Sequence, residues 1–192
     1  LYTPSSPPWG MTKAMTGSFY LTDTVTIPVA SASGSRIQST VDLSAYVNVP
    51  TGQAIAIESV DFVYQTGTDF YSDVANMLVN NGAITTQLTD LNPSTLFVRA
   101  DNHSLIASGS LNIDIANSIA THASDLYPDN FGPANLSEAF LVVNDTLFLT
   151  AGNDNSVVGA KALSISVRIR CRVVKLSTKD WLAIAIQSTD ED

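Results

Sequence analysis

The clearest pattern in the sequence is a strict alternation of apolar and polar residues near its end. Every second residue over 163–173 is apolar, and Arg168, Arg170 and Arg172 lie between them. Because successive side chains of an extended chain point to opposite faces, this pattern predicts a β-strand, over residues 161–175. One face of this strand belongs in a core, and the other face has three guanidinium groups.

The same two-residue period recurs along most of the chain. Within the segment 54–66 the apolar phase shifts by one residue at Glu58 and Ser59, which predicts a β-bulge or a strand that crosses a sheet corner. In the segment 18–29, Asp23 interrupts the apolar row. Strands are predicted at residues 18–29, 37–49, 54–66, 83–89, 95–101 and 105–119, and residues 139–151 are predicted to form one long strand or two short ones.

Three segments depart from the alternation. Residues 69–82 have apolar side chains at helical spacing between Ser72 and Asn81-Gly82, which predicts a short helix. Residues 121–138 have no period and are interpreted as a long surface loop. Ser177 and Asp180 resemble a capping box ahead of apolar residues, which predicts a short closing helix or a last strand.

These elements predict an all-β fold. The chain has 192 residues, about eight strands and no alternation of strands with helices, so we expect an antiparallel two-sheet β-sandwich of the jelly-roll type with one or two short helices in its connections. We divide the chain into an extended Pro-rich N-terminal arm (residues 1–17), a jelly-roll domain (residues 18–187) and an acidic C-terminal tail (residues 188–192).

Composition makes the basic strand more conspicuous. Only 14% of the residues are charged, against about 25% in an average soluble protein, and the net charge is −9. Polar surface comes instead from 22 Ser, 19 Thr and 13 Asn residues. Of the nine Lys and Arg residues, five lie between Arg168 and Lys179. The positive charge is therefore concentrated in one segment.

The residues suited to catalysis or metal binding are few and scattered. His103 and His122 lie in turn-like contexts, and no nucleophile motif accompanies them. Two histidines and the single Cys171 cannot build a structural zinc site, and no Gly-rich phosphate loop is present. We therefore predict no catalytic residue, no cofactor and no metal site, and we expect that the protein is not an enzyme.

The arginine row allows three interpretations. The arginines could pair with acids on adjacent strands, for which Glu58, Asp61 and Asp114 are suitable. They could lie at a contact between subunits, where Arg is favoured for pairing with carboxylates. They could also contact nucleic acid phosphates, but so few cations predict only a weak contact. The candidate basic face, at a subunit interface or an inner surface, comprises Arg168, Arg170, Arg172 and Lys175.

Four segments together resemble a single jelly-roll capsid protein of a tailless icosahedral virus. These are residues 1–10, 18–29, 39–65 and 166–187. The resemblance implies a coat subunit of the virion that assembles with copies of itself and with other capsid proteins. Its arm or tail would reach a neighbour, a membrane or the genome, and its loops would face outward. No run of apolar residues is long enough to span a membrane.

Two other classes of function remain open at this point. An extracellular β-sandwich binding module or adhesin would display aromatic side chains, but Trp9 lies in the arm and Trp181 in an apolar segment, which leaves Tyr127 as the obvious loop aromatic. A hydrolase would need a histidine and a carboxylate that converge in a cleft.

Overall fold

The regular secondary structure of the described residues is almost entirely β-strand. The computed structural model of the chain describes residues 13–67, 77–126 and 140–189, apart from the side chains of residues 13, 123–126 and 187–189. The elements are β1 (Lys13–Ala14), β2 (Phe19–Ile27), β3 (Arg36–Asp42), β4 (Gln53–Thr66), β5 (Gly82–Thr89), β6 (Leu105–Asp114), β7 (Ile119–Leu126), β8 (Phe140–Val142), β9 (Thr146–Asp154), β10 (Leu163–Lys175) and the helix α1 (Thr178–Thr189).

The strands form two five-stranded sheets. In the first sheet, β1 and β2 both pair with β10, and the order continues through β4 to β8. In the second sheet the order is β3, β9, β5, β6 and β7. Every strand pair in both sheets is antiparallel. The predicted segment 139–151 forms two strands, β8 and β9, which belong to different sheets.

The pairing of the strands is that of a jelly roll. With β1 and β7 set aside, eight strands remain, and the first pairs with the eighth (β2 with β10) and the second with the seventh (β3 with β9). The third pairs with the sixth (β4 with β8) and the fourth with the fifth (β5 with β6). Such nested pairs arise when one long antiparallel hairpin rolls up into two facing sheets. The predicted fold class is confirmed, with β1 and β7 added to the expected eight strands.

The core lies between the two sheets. The apolar row of β10, from Leu163 to Val173, is buried as the alternation predicts, and Cys171 is one of its members. The predicted irregularity in β4 is confirmed as a bulge: Arg170 lies opposite Ser59 and Cys171 opposite Ile57, so Glu58 has no partner across the strands. The bulge allows both halves of β4 to keep their apolar side chains in the core.

Asp23 breaks the apolar row of β2 because it joins the two sheets. It lies on β2, at an edge of the first sheet, and its carboxylate accepts a hydrogen bond from the Ser39 hydroxyl of β3. β3 is an edge strand of the second sheet. A carboxylate at the rim of the sandwich is thus tolerated because it has a polar partner.

The strand predicted at residues 95–101 is wrong. This segment lies across the outer face of the second sheet, held by the side-chain amide of Gln87. That amide accepts a hydrogen bond from the Val98 N–H (2.8 Å) and donates one to the Val98 carbonyl (2.9 Å). The Arg36 guanidinium lies 4.3 Å from the centre of the Phe97 ring. The extended-looking sequence therefore covers a sheet without joining it.

Other predicted boundaries also change. The strand expected at 37–49 ends at Asp42, because the Asp42 carboxylate accepts the backbone N–H of Ser44 (2.8 Å) and begins a turn. Residues 121–126 of the predicted loop belong to the edge strand β7, which pairs through its backbone and needs no apolar period. Residues 127–138 of that loop and residues 69–76 of the predicted helix lie outside the described residues.

The end of the chain forms a helix, the first of the two predicted alternatives. The Ser177 hydroxyl donates to the Asp180 carboxylate (2.8 Å), and the Asp180 N–H donates back to that hydroxyl (3.2 Å), so the capping box is present. The helix includes residues 188–189 of the predicted tail. At the other terminus, Lys13–Ala14 of the predicted arm pairs with β10. The division into arm, domain and tail stays a prediction.

Candidate assembly face

The three arginines lie side by side on the outer face of the first sheet. Their alternate neighbours on β10 are in the core, and the outer residues of β2 and β4 lie on either side of them. We call this surface, formed by β2, β10 and β4, the assembly face. Lys175 is exposed but follows Val173 in the core-facing row, so strand alternation places it at the rim, away from the arginines.

Glu58 is enclosed by two of the arginines. Its side chain is only 3% exposed, and its Oε2 lies 3.1 Å from Arg170 Nε while Oε1 pairs with Arg172 Nε. The Ser18 hydroxyl lies 2.9 and 3.0 Å from the two carboxylate oxygens, and Arg172 also donates to the Ser18 oxygen (3.1 Å). The β-bulge puts this carboxylate between the two guanidinium groups. The cluster satisfies a buried charge that would otherwise be costly.

Of the acids predicted as partners, the structure therefore brings one into an ion pair with the row. Asp61 on β4 lies directly opposite Arg168 on β10 in the strand register. Asp114 lies on β6, in the other sheet. Asp114 accepts hydrogen bonds from Asn117 (2.7 Å from its amide), and these lower the pKa of its carboxyl group. It is not a partner of the arginines.

Arg168 differs from the other two arginines. Its side chain is exposed, and its guanidinium lies 4.9 Å from the centre of the Tyr20 ring. A cation above an aromatic face in an exposed position contributes about 0.5–1 kcal/mol and leaves the planar guanidinium edges accessible. Tyr20 and Val63 are large exposed side chains of the same face. Arg168 is thus a cation available to a partner.

Apart from the exposed acid Asp61 and the apolar Val63, the other outer residues of the assembly face are polar and uncharged. Thr24 on β2 and Ser166 on β10 share a hydrogen bond between their hydroxyl groups (2.8 Å). At the opposite end, α1 packs on the sheet through Trp181 and Ile184. Hydroxyl-bearing outer residues are Thr22, Thr24, Thr26, Ser164 and Ser166. Residues 91–104 cover part of the second sheet, whereas the outer side chains of β2 on this stretch of the first sheet are exposed among the described residues.

The described residues offer little for catalysis. Burial, together with the negative charge of Glu58, raises the pKa of the Cys171 thiol to about 12, so it stays protonated and unreactive at neutral pH. His122 packs against Tyr64 with 5.6 Å between the ring centres, and His103 lies in the distant loop before β6. Within residues 13–67, 77–126 and 140–189, no three His, Cys, Asp or Glu side chains converge on a metal position.

Comparisons with known proteins find distant structural neighbours only. No protein-family model and no curated protein sequence matches the chain. Among solved structures it is similar to VP1 of Trichodysplasia spinulosa-associated polyomavirus, solved in complex with GM1 oligosaccharide: identity is 9%, 85% of this chain and 97% of that chain are covered, and the TM-score is 0.40. It is also similar to chains of turnip yellow mosaic virus (7% identity, 92% and 89% covered, TM-score 0.32) and Desmodium yellow mottle tymovirus (12%, 92% and 97%, TM-score 0.30).

These neighbours are viral capsid proteins, the class that the sequence resembles. Among the described helices, none is long and apolar enough to cross a membrane.

Proposed function

We propose that the protein is a viral capsid subunit that self-assembles into capsomers and an icosahedral shell in the virion. The observation that supports this most is the assembly face, whose described residues form an exposed, weakly charged surface rich in hydroxyl groups, where Arg168 offers an accessible cation. The chain has a net charge of −9, so another copy of it is a natural partner for that cation. Other capsid proteins with acidic surfaces are partners of the same kind.

The distribution of charge suits packing of many identical copies. Repulsion between subunits grows with repeated charge, and the described face is almost neutral because Glu58 neutralises part of the arginine row. Since two of the three arginines are engaged by this carboxylate, few cations remain for phosphate groups. Contact with nucleic acid is therefore expected to be local and weak.

The described aromatic residues favour assembly over carbohydrate binding. A sugar platform needs several exposed aromatic rings, but Trp181 packs against the sheet, and Tyr20 is a single ring beside Arg168. Trp9 and Tyr127, the other aromatics considered for such a platform, lie outside the described residues. A binding module remains the second candidate function only if these two side chains supply the platform.

Replacing Arg168 with Gln tests the role of the assembly face. We expect Arg168→Gln to weaken assembly in low salt while changing the free energy of unfolding by less than about 0.5 kcal/mol, as for exposed residues in general. Dynamic light scattering over a range of salt concentrations measures the first effect, and urea unfolding the second. Arg170 and Arg172 are unsuitable for this test, because their loss also leaves Glu58 without its partners.

Arg99→Gln is the matched control. Arg99 is exposed, lies in the segment across the second sheet, and its replacement makes the same change in charge. Assembly that falls equally in both variants would mean that net charge alone matters. Unchanged assembly of Arg168→Gln would make Arg168 merely a solvated residue.

A further inference from the structure

Helix α1 has apolar side chains on two opposite sides. Its inner side, with Trp181, Ile184 and Ala185, packs on Ala54, Ala56, Val143, Val174 and Leu176 of the first sheet and the adjoining residues. Its outer side exposes Leu182 (51%), Ala183 and Ile186 (59%). We call these three residues the outer stripe. Leu182 and Ile186 are four residues apart, so their side chains lie next to each other along the helix.

The outer stripe is unusual for a helix on a protein surface. A surface helix normally has polar residues opposite its buried side, and a helix that is apolar all round is normally buried. Charged residues occur only in the first turn of α1, at Lys179 and Asp180. The sequence of α1 is therefore typical of a helix that is covered on both sides. The first sheet covers its inner side.

The path of the chain at β1 indicates which segment could cover the outer side of α1. Lys13 pairs with Lys175, and β1 runs antiparallel to β10, so the chain before Lys13 leaves the sheet on the side where β10 continues into α1. Residues 1–12 are therefore attached next to Lys175, which is three residues before the start of α1 at Thr178. At about 3.1 Å per residue they reach about 37 Å, which is twice the roughly 18 Å length of α1.

The composition of residues 1–12 suits an apolar groove beside a helix. They include three prolines, the aromatic residues Tyr2 and Trp9, and Met11. Prolines favour an extended conformation in advance, which reduces the conformational entropy lost when such a segment docks. Two aromatic rings supply a large apolar area, and because each side chain has few rotatable bonds, little conformational entropy is lost when it is buried.

We propose that residues 1–12 dock along the outer stripe of α1 in the same chain. Attachment at Lys13 gives this segment a high effective concentration at the helix, whereas a second copy must first associate. The segment would bury Leu182 and Ile186 and complete the enclosure of α1. This interaction holds a single subunit together and is independent of whether the subunit forms a shell.

The two tryptophans allow a direct test. In a Trp181→Phe background Trp9 is the remaining tryptophan. We expect its emission to be blue-shifted and protected from acrylamide. The double replacement Leu182→Ser and Ile186→Ser in that background should shift the emission to the red and remove the protection. As a matched control, Ile119→Ser and Val157→Ser remove two exposed apolar side chains elsewhere and should leave Trp9 unchanged.

Two outcomes overturn the proposal. One is a Trp9 that is fully accessible to acrylamide before the stripe is altered, or equally protected afterwards. The other is protection that disappears on dilution, because docking within one chain does not depend on concentration, whereas docking onto a second copy does. If Trp181→Phe does not fold, hydrogen exchange of the native chain and of a variant lacking residues 1–12 replaces it: faster exchange in α1 supports the proposal, and unchanged exchange contradicts it.

Discussion

Glu58→Ala is expected to lower the free energy of unfolding by about 2–3 kcal/mol, because it removes a buried carboxylate that is paired with two arginines. Removal of one partner from a buried ion pair costs about 3–5 kcal/mol, and we place this case lower because Arg170 is 40% exposed and can rehydrate. The loss would also free the Ser18 hydroxyl, which contacts both carboxylate oxygens. Urea unfolding followed by circular dichroism measures the change.

Two further variants separate the charge of Glu58 from its shape. Glu58→Gln keeps the side-chain volume but removes the negative charge, so we expect it to lie between the native protein and Glu58→Ala. Asp61→Ala removes an exposed acid from the same strand and should change stability by less than about 1 kcal/mol. A loss for Asp61→Ala as large as that for Glu58→Ala would contradict the special position of the bulged carboxylate.

Ile169→Ala is expected to cost about 3 kcal/mol, within the range of about 2–5 kcal/mol for truncation of a buried Ile. Ile169 is fully buried on the central strand β10, between Leu21 on β2 and Val60 on β4. Leu21 and Val60 are held by the hydrogen bonds of their own strands, so we expect them not to close the cavity that the truncation leaves. Chemical unfolding again provides the measurement.

Ser166→Ala is the matched control on the same strand. Ser166 lies on the assembly face and shares a hydrogen bond with the exposed Thr24. Its replacement should change stability by no more than about 1 kcal/mol, since water can take over an exposed hydrogen bond. Equal losses for the two variants would mean that the two faces of β10 have been assigned wrongly.

The sequence predicts the fold well where one side of a strand is buried. The alternation in β10 identifies its core row, and the phase shift at Glu58 identifies the bulge, because both follow from the two-residue period of strand side chains. Residues 95–101 mislead for the same reason: a segment that lies over a sheet has the same alternating side chains as a strand within one. The amide of Gln87, which decides between the two, belongs to the preceding strand β5, so the alternation within residues 95–101 does not reveal it.

The arginine row could be found from the sequence. Which of its arginines pair with Glu58, and which one stays exposed, could not. Alternation predicts that Arg168, Arg170 and Arg172 share one face, and the sequence offers Glu58 as one of their acidic partners. Which arginines the carboxylate takes depends on the register of β4 against β10, which the local sequence does not contain. Ser18 also escapes prediction, because the irregular chain between β1 and β2 brings it to Glu58. Tyr20 could have been found, since the alternation of β2 places it on the outer face.

Sedimentation velocity of the purified protein, combined with negative-stain electron microscopy, tests the proposed function most directly. If the chain is a capsid subunit, it should form closed particles of uniform size in low salt, in equilibrium with smaller assemblies at higher salt. A folded chain that stays monomeric at every concentration and ionic strength, and binds glycans in that form, would contradict the proposed function.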